Sequence, residues 1–135
     1  MKFTKPTRWR IVTSQARILS RGVQNLRSIS LGTFPDRAVQ VLDVFQSVDT
    51  QSLTLQNTVV MEEGVLHLHG RIVPSDSPCS YDVSFLSADV CGLNGECITK
   101  EVVPSSRERI QICFQCPQVK IEKSPSGFTV MAKDE

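Results

Sequence analysis

The chain has 135 residues, a length that makes one domain with its own core. Hydrophobic residues make up 40% and charged residues 21%, an ordinary balance for a globular chain that excludes a low-complexity or highly charged disordered one. The net charge of +1 conceals an asymmetry. Residues 1–35 hold seven Lys or Arg and no acid, whereas residues 36–135 hold eight bases against fourteen acids. No apolar run approaches the ~18 residues of a membrane span, and none at the start resembles the core of a secretory signal.

A basic, Ser-containing, acid-free opening fits the end of a transit peptide, a surface that meets anionic lipid, or simply a basic edge on a β domain. Nucleic acid is not expected as a partner, because the only aromatics interleaved with these bases are Phe3, Trp9 and Phe34. Residues 1–7 read as a flexible basic lead-in to a single domain.

Taken in chain order, period-2 alternation dominates. Trp9 and Ile11 alternate with Arg8 and Arg10. A short helix is expected within Gln15–Arg27, where Ala16, Leu19, Val23 and Leu26 fall at helical spacing. Ala38–Phe45 is an apolar strand. Leu53, Leu55, Val59 and Met61 share a face of the next, and Glu62-Glu63-Gly64 turns the chain. Leu66, Leu68 and Ile72 then oppose His67, His69 and Arg71. Tyr81, Val83 and Phe85 alternate with Asp82 and Ser84, and Asn94-Gly95 is a hairpin signal. Ile110, Ile112 and Phe114 alternate again. Val119 and Ile121 precede the turn Ser124-Pro125-Ser126-Gly127, and Phe128, Val130 and Ala132 close the series. About seven to nine strands joined by short turns predict an all-β antiparallel fold, rolled into a barrel or half-barrel so that few edges stay open.

The chemistry of catalysis is not legible. No Gly-rich phosphate loop or nucleophile elbow occurs, and no pair of acids is aimed at one pocket, so the chain reads as a non-enzyme. His67 and His69 point the same way from one strand, but nothing at a suitable spacing completes a metal site, so no metal or cofactor is expected. The five cysteines are an odd number without a signal sequence, which fits a reducing compartment better than a secreted disulfide framework. Cys113 and Cys116 form a C-x-x-C at a strand end. Such a pair is a weak redox candidate away from a helix N-terminus, and small half-buried hydrophobes are the simpler reading. Asn57 shares its strand face with Leu55 and Val59, so it needs either a structural hydrogen bond or a role as a polar handle in a ligand cavity.

Several fragments, in order, resemble the plastid-lipid-associated proteins, the fibrillins of plastoglobules and thylakoids. Trp9-Arg10-Ile11-Val12-Thr13-Ser14 is similar to that family's opening strand, with Val12 where Tyr is usual. Gly32, Gln40-Val41-Leu42-Asp43 and Asn57-Thr58-Val59 follow in the family's order, then Tyr81-Asp82-Val83-Ser84-Phe85. Phe114-Gln115-Cys116, Val119-Lys120-Ile121-Glu122-Lys123 and Gly127-Phe128 resemble the closing motifs, though Phe, Gln and Cys replace Tyr, Leu and Asp, and Ser124 replaces a Gly. The family's helix before the first strand has no counterpart in the residues preceding Trp9, as in a divergent or truncated member.

The resemblance implies a lipocalin-like barrel in a plastid, at thylakoids or plastoglobules. Its partners would be lipids, prenylquinones or carotenoids, or a membrane lipid surface. It carries no catalytic set. On that fold, alternation nominates Trp9, Ile11, Leu55, Asn57, Leu66, Leu68, Phe85, Ile112 and Phe114 as lining residues. The alternative is a structural subunit docking in a larger organellar complex.

Overall fold

A computed structural model describes residues 6–134, without the side chains of 104–106. The flexible lead-in expected over residues 1–7 therefore falls mostly outside the described residues. Nine strands follow in order: β1 (Thr7–Ser14), β2 (Gly22–Asn25), β3 (Ala38–Asp49), β4 (Thr54–Met61), β5 (Gly64–Pro74), β6 (Ser80–Gly92), β7 (Cys97–Gln115), β8 (Val119–Ser124) and β9 (Gly127–Lys133).

The all-β antiparallel architecture expected from alternation is present. All nine strands form one sheet in the order β1-β9-β8-β7-β6-β5-β4-β3-β2. That sheet closes on itself, because β1 pairs with β9 on one side and with β3 on the other. The result is a ring of hydrogen-bonded strands. β2 lies outside the ring, along Ala38–Val41 of β3, while β1 takes the later part, Phe45–Val48. Closure gives β1 partners along both edges, which a flat sheet could not do for its first strand.

The helix expected within Gln15–Arg27 is not there. A single 3-10 turn at Arg17–Leu19 is followed by β2, and one α-helical turn, α1, spans Leu26–Ile29. Gly22 at φ +98° explains the break, since this left-handed backbone cannot continue a helix. Ala16 and Leu19 instead sit at the 3-10 turn and Leu26 in α1, while Val23 lies on β2 and is exposed. Asn25 caps α1 by accepting from the Ser28 amide, and α1 buries Leu26 and Ile29 in the ring's core.

That core fills the end of the ring nearest α1. Val41, Val44, Val59, Met61, Leu66 and Ala88 are almost fully buried there, joined by Leu26, Ile29 and Phe34. Fully burying a side chain of this size contributes ~1.5–3 kcal/mol before cavity and entropy terms. Lys100 places its ammonium 5.1 Å from the Phe34 ring centroid, covering it from outside.

The expected turns at Glu62-Glu63-Gly64, Asn94-Gly95 and Ser124–Gly127 all connect neighbouring strands. Gly95 is at φ +85°, as a tight hairpin requires. The β6–β7 hairpin carries a feature that the odd cysteine count argued against. Cys91 and Cys97 are register partners, with Cα atoms 4.0 Å apart, and are joined by a disulfide. The reading of the cysteines as thiols in a reducing compartment is corrected for this pair, because the hairpin holds both at bonding distance.

Gly64 allows a close approach at the far side of that hairpin. It pairs with Gly92, and a Cβ at Gly64 would collide with the backbone carbonyl of Cys91. Its φ of +155° adds strain for any side chain. Gly64→Ala should therefore lower stability by roughly 2 kcal/mol, measured by urea denaturation without reductant. A midpoint unchanged from wild type would contradict this account of the close approach.

Candidate functional site

The opposite end of the ring is open. A cavity of about 330 Å³ sits there, walled by Trp9 from β1, Val48 from β3, Ile72 and Pro74 from β5, Tyr81 from β6, Ile112 from β7 and Lys120 from β8. This lies at the lower end of the range of ligand-holding clefts. Its rim includes Leu53, which takes a left-handed φ of +55° and accepts a hydrogen bond from the Ile72 amide at 2.8 Å through its carbonyl. A non-Gly residue in that region costs ~1–2 kcal/mol, so the rim is held by its neighbours rather than by local preference.

The floor of the cavity is polar where Lys120 and Tyr81 reach it, and Gln46 and Glu122 lie behind them. Lys120 and Glu122 are both buried, at 3% and 4% exposure, and alternate on the inward face of β8. Lys120 Nζ donates to Gln46 Oε1 at 2.8 Å and lies 3.5 Å from Glu122 Oε2. Gln46 Nε2 donates back to Glu122 Oε1 at 3.3 Å, and the Tyr81 hydroxyl donates to Glu122 Oε2. The Trp9 ring centroid lies 5.0 Å from Lys120 Nζ. One amide, one phenol, one ammonium and one carboxylate, from three strands around the ring, are thus hydrogen-bonded to one another.

Burial sets the protonation of this group. It pushes the Lys120 ammonium below the ordinary lysine value, while Glu122 opposes the shift. Burial, then the adjacent Glu122 charge and hydrogen bond, hold the Tyr81 phenol well above the usual range, so Tyr81 remains a donor.

The nine nominated lining residues divide between four places. Trp9 and Ile112 wall the open cavity. Leu55, Asn57 and Phe85 line a cleft of only about 40 Å³ behind the polar floor, beside Gln46, Glu122 and Thr129. That space suits a water or two rather than a ligand. Leu66 and Leu68 are packed in the core and Ile11 is buried beside a separate surface depression, and none of the three lines the open cavity or the small cleft. Phe114 is corrected outright: it is 51% exposed on the outer surface. The register of β7 against β8 shifts between Ile112 and Phe114, and this one-residue bulge turns Phe114 outward. Asn57 sits in the small cleft and not in the larger cavity.

Lys120, Glu122 and Gln46 escaped the sequence reading. Val119 and Ile121 are the apolar members of β8, yet Lys120 and Glu122 point inward with their β9 partners Met131 and Thr129. The available signal was a Lys and a Glu two residues apart, on one face of a strand, in a chain whose other strands bury that face.

His67 and His69 lie on the half-buried outer face. Gln56 Nε2 donates to His67 Nδ1 at 3.0 Å, and His69 Nε2 donates to Asp89 at 2.8 Å. Among the described residues, no group of three or more His, Cys, Asp or Glu is placed to hold a metal. Cys113 is exposed and Cys116 is half-buried, and both are free thiols, so the description as half-buried hydrophobes fails for Cys113.

Breaking the Lys120–Glu122 pair from one side leaves a buried charge without its partner. Lys120→Met should cost about 3 kcal/mol, whereas Lys120→Met with Glu122→Gln should recover at least half of that, measured by urea denaturation. Equal losses in the two variants would show that the pair is not coupled. The chain matches no protein-family model, no curated protein and no solved structure.

Proposed function

We propose that this chain is a non-catalytic binding protein that holds a lipophilic small molecule in the open end of its ring. The observation that carries the reading is the 330 Å³ cavity, with apolar walls from Trp9, Val48, Ile72 and Ile112 over a hydrogen-bonded polar floor. Apolar walls with a few fixed polar groups are the usual make-up of a small-molecule site. The cavity suits one end of a prenylquinone, carotenoid or fatty acid, with the remaining chain passing out through the rim. A plastid setting, at thylakoids or plastoglobules, is part of the proposal. Its support is the ordered series of fragments from Trp9 to Phe128 and the run of seven bases in residues 1–35.

Native mass spectrometry after incubation with those three lipid classes should show one retained molecule per chain. Trp9 is the only tryptophan and lines the cavity, so its fluorescence should change on binding. Filling the cavity with Val48→Phe and Ile72→Phe should weaken binding by at least about tenfold. No retained ligand and an unchanged Trp9 spectrum would overturn the reading.

A docking role in a larger organellar complex draws on a different surface. The same inversion that turns Lys120 and Glu122 inward turns apolar residues outward. Phe114, Ile121 and Val130 are register partners across β7, β8 and β9, and they form an apolar row on the outside of the ring. Under this reading, Phe114→Lys with Ile121→Lys abolishes co-fractionation with a larger assembly and leaves stability unchanged. A wild-type chain that fractionates only as a monomer counts against it.

A further inference from the structure

The polar floor constrains what kind of head group the cavity takes. Both oxygens of Glu122 accept from protein donors: Oε1 from Gln46, and Oε2 from Tyr81 and the nearby Lys120 ammonium. Gln46 is used at both ends, since its amide nitrogen donates to Glu122 and its amide oxygen accepts from Lys120. Lys120 differs. An ammonium carries three hydrogens, and among the described residues Gln46 and Glu122 account for two. The third belongs to a nitrogen that lies 5.0 Å from the Trp9 ring centroid and whose side chain walls the open cavity. The floor therefore has one charged hydrogen-bond donor left to offer a ligand.

Charge narrows the choice further. Lys120 and Glu122 cancel, so the floor is formally neutral. A carboxylate or phosphate head would bring a second anion close to Glu122 in a site where water does not screen it. A cationic head would meet the Lys120 ammonium. A neutral acceptor completes the set with no uncompensated charge.

We infer that the cavity selects an uncharged lipophile that presents a carbonyl or hydroxyl oxygen to Lys120 Nζ, with its hydrocarbon part against Val48, Ile72 and Ile112. This rests on the reading that the cavity holds a ligand. It adds the chemical class of the head and makes Lys120 the specificity-determining residue. The depressed pKa of Lys120 agrees with this, because a nitrogen so buried gains from one more acceptor.

The test uses the full chain and four probes with the same number of carbons: undecane, methyl nonyl ketone, undecanol and undecanoate. Binding is followed by Trp9 fluorescence and native mass spectrometry. The ketone and the alcohol should bind about tenfold tighter than undecane, the worth of one buried hydrogen bond to a charged donor. Undecanoate should bind no tighter than undecane. In Lys120→Met the ketone should lose its advantage over undecane, so that the ratio of the two affinities falls from about ten to about one. Lys120→Met with Glu122→Gln, which removes both charges, serves the same purpose if the single variant does not fold.

Equal affinity for undecane and the ketone in wild type would overturn the head-group inference and leave the cavity reading standing. Tightest binding of undecanoate would overturn the requirement for a neutral head. Failure of all four probes to bind would overturn the cavity reading and this inference with it.

Discussion

The ring is tied across its interior by the Lys120–Glu122 pair and the two side chains that complete it. Gln46 reaches it from β3 and Tyr81 from β6, while the pair itself stands on β8. Hydrophobic packing fills the end near α1 and continues along the ring to Trp9, Leu55 and Val83. At the other end, where a cavity remains, this polar group spans the space that a core would otherwise occupy. Its components are costly to bury singly, and their mutual satisfaction is what makes an open cavity compatible with a stable ring. The cavity floor, the inversion of β8 and β9, and the apolar row on the outside all follow from it.

Much of the fold could be read from alternation. Trp9 and Ile11, Leu55 and Val59, Leu66 and Leu68, and Val83 and Phe85 fall on the faces that alternation marks as apolar, and they are buried. The reading failed where a single residue changes the phase. The bulge between Ile112 and Phe114 sends Phe114 to the surface, and a similar shift between Ile11 and Thr13 leaves Val12 outside the pattern. Period-2 reasoning has no means of locating a bulge, since the extra residue leaves both flanking segments alternating normally. The helix expected within Gln15–Arg27 failed for a related reason. Its spacing was real, but Gly22 divides it and β3 offers β2 a strand to pair with.

The candidate site was less legible than the fold. Two of nine nominated residues, Trp9 and Ile112, reach the cavity, because alternation reports which face is buried and not where packing leaves a gap. The polar floor was hidden by its own composition. Val119 and Ile121 make the opposite face of β8 look like the buried one, and only tertiary pairing with Thr129 and Met131 decides the matter. The Cys91–Cys97 bond was similarly out of reach, since it depends on the register of a hairpin and not on a count of cysteines.

The two-sided pairing of β1 also bears on how the chain is made. Val48 through Phe45 can pair with β1 soon after it is made, but Lys133 through Thr129, which take its other edge, are translated only after β2 to β8. β1 must therefore keep one edge open while the seven intervening strands are made. Contacts between such distant parts of a chain form slowly, and an open strand edge is a site of mispairing while it waits. Arg8 and Arg10 flank Trp9 on that strand, and their charges, which end up beside Asp134 and Asp43, discourage a second nascent chain from pairing there first.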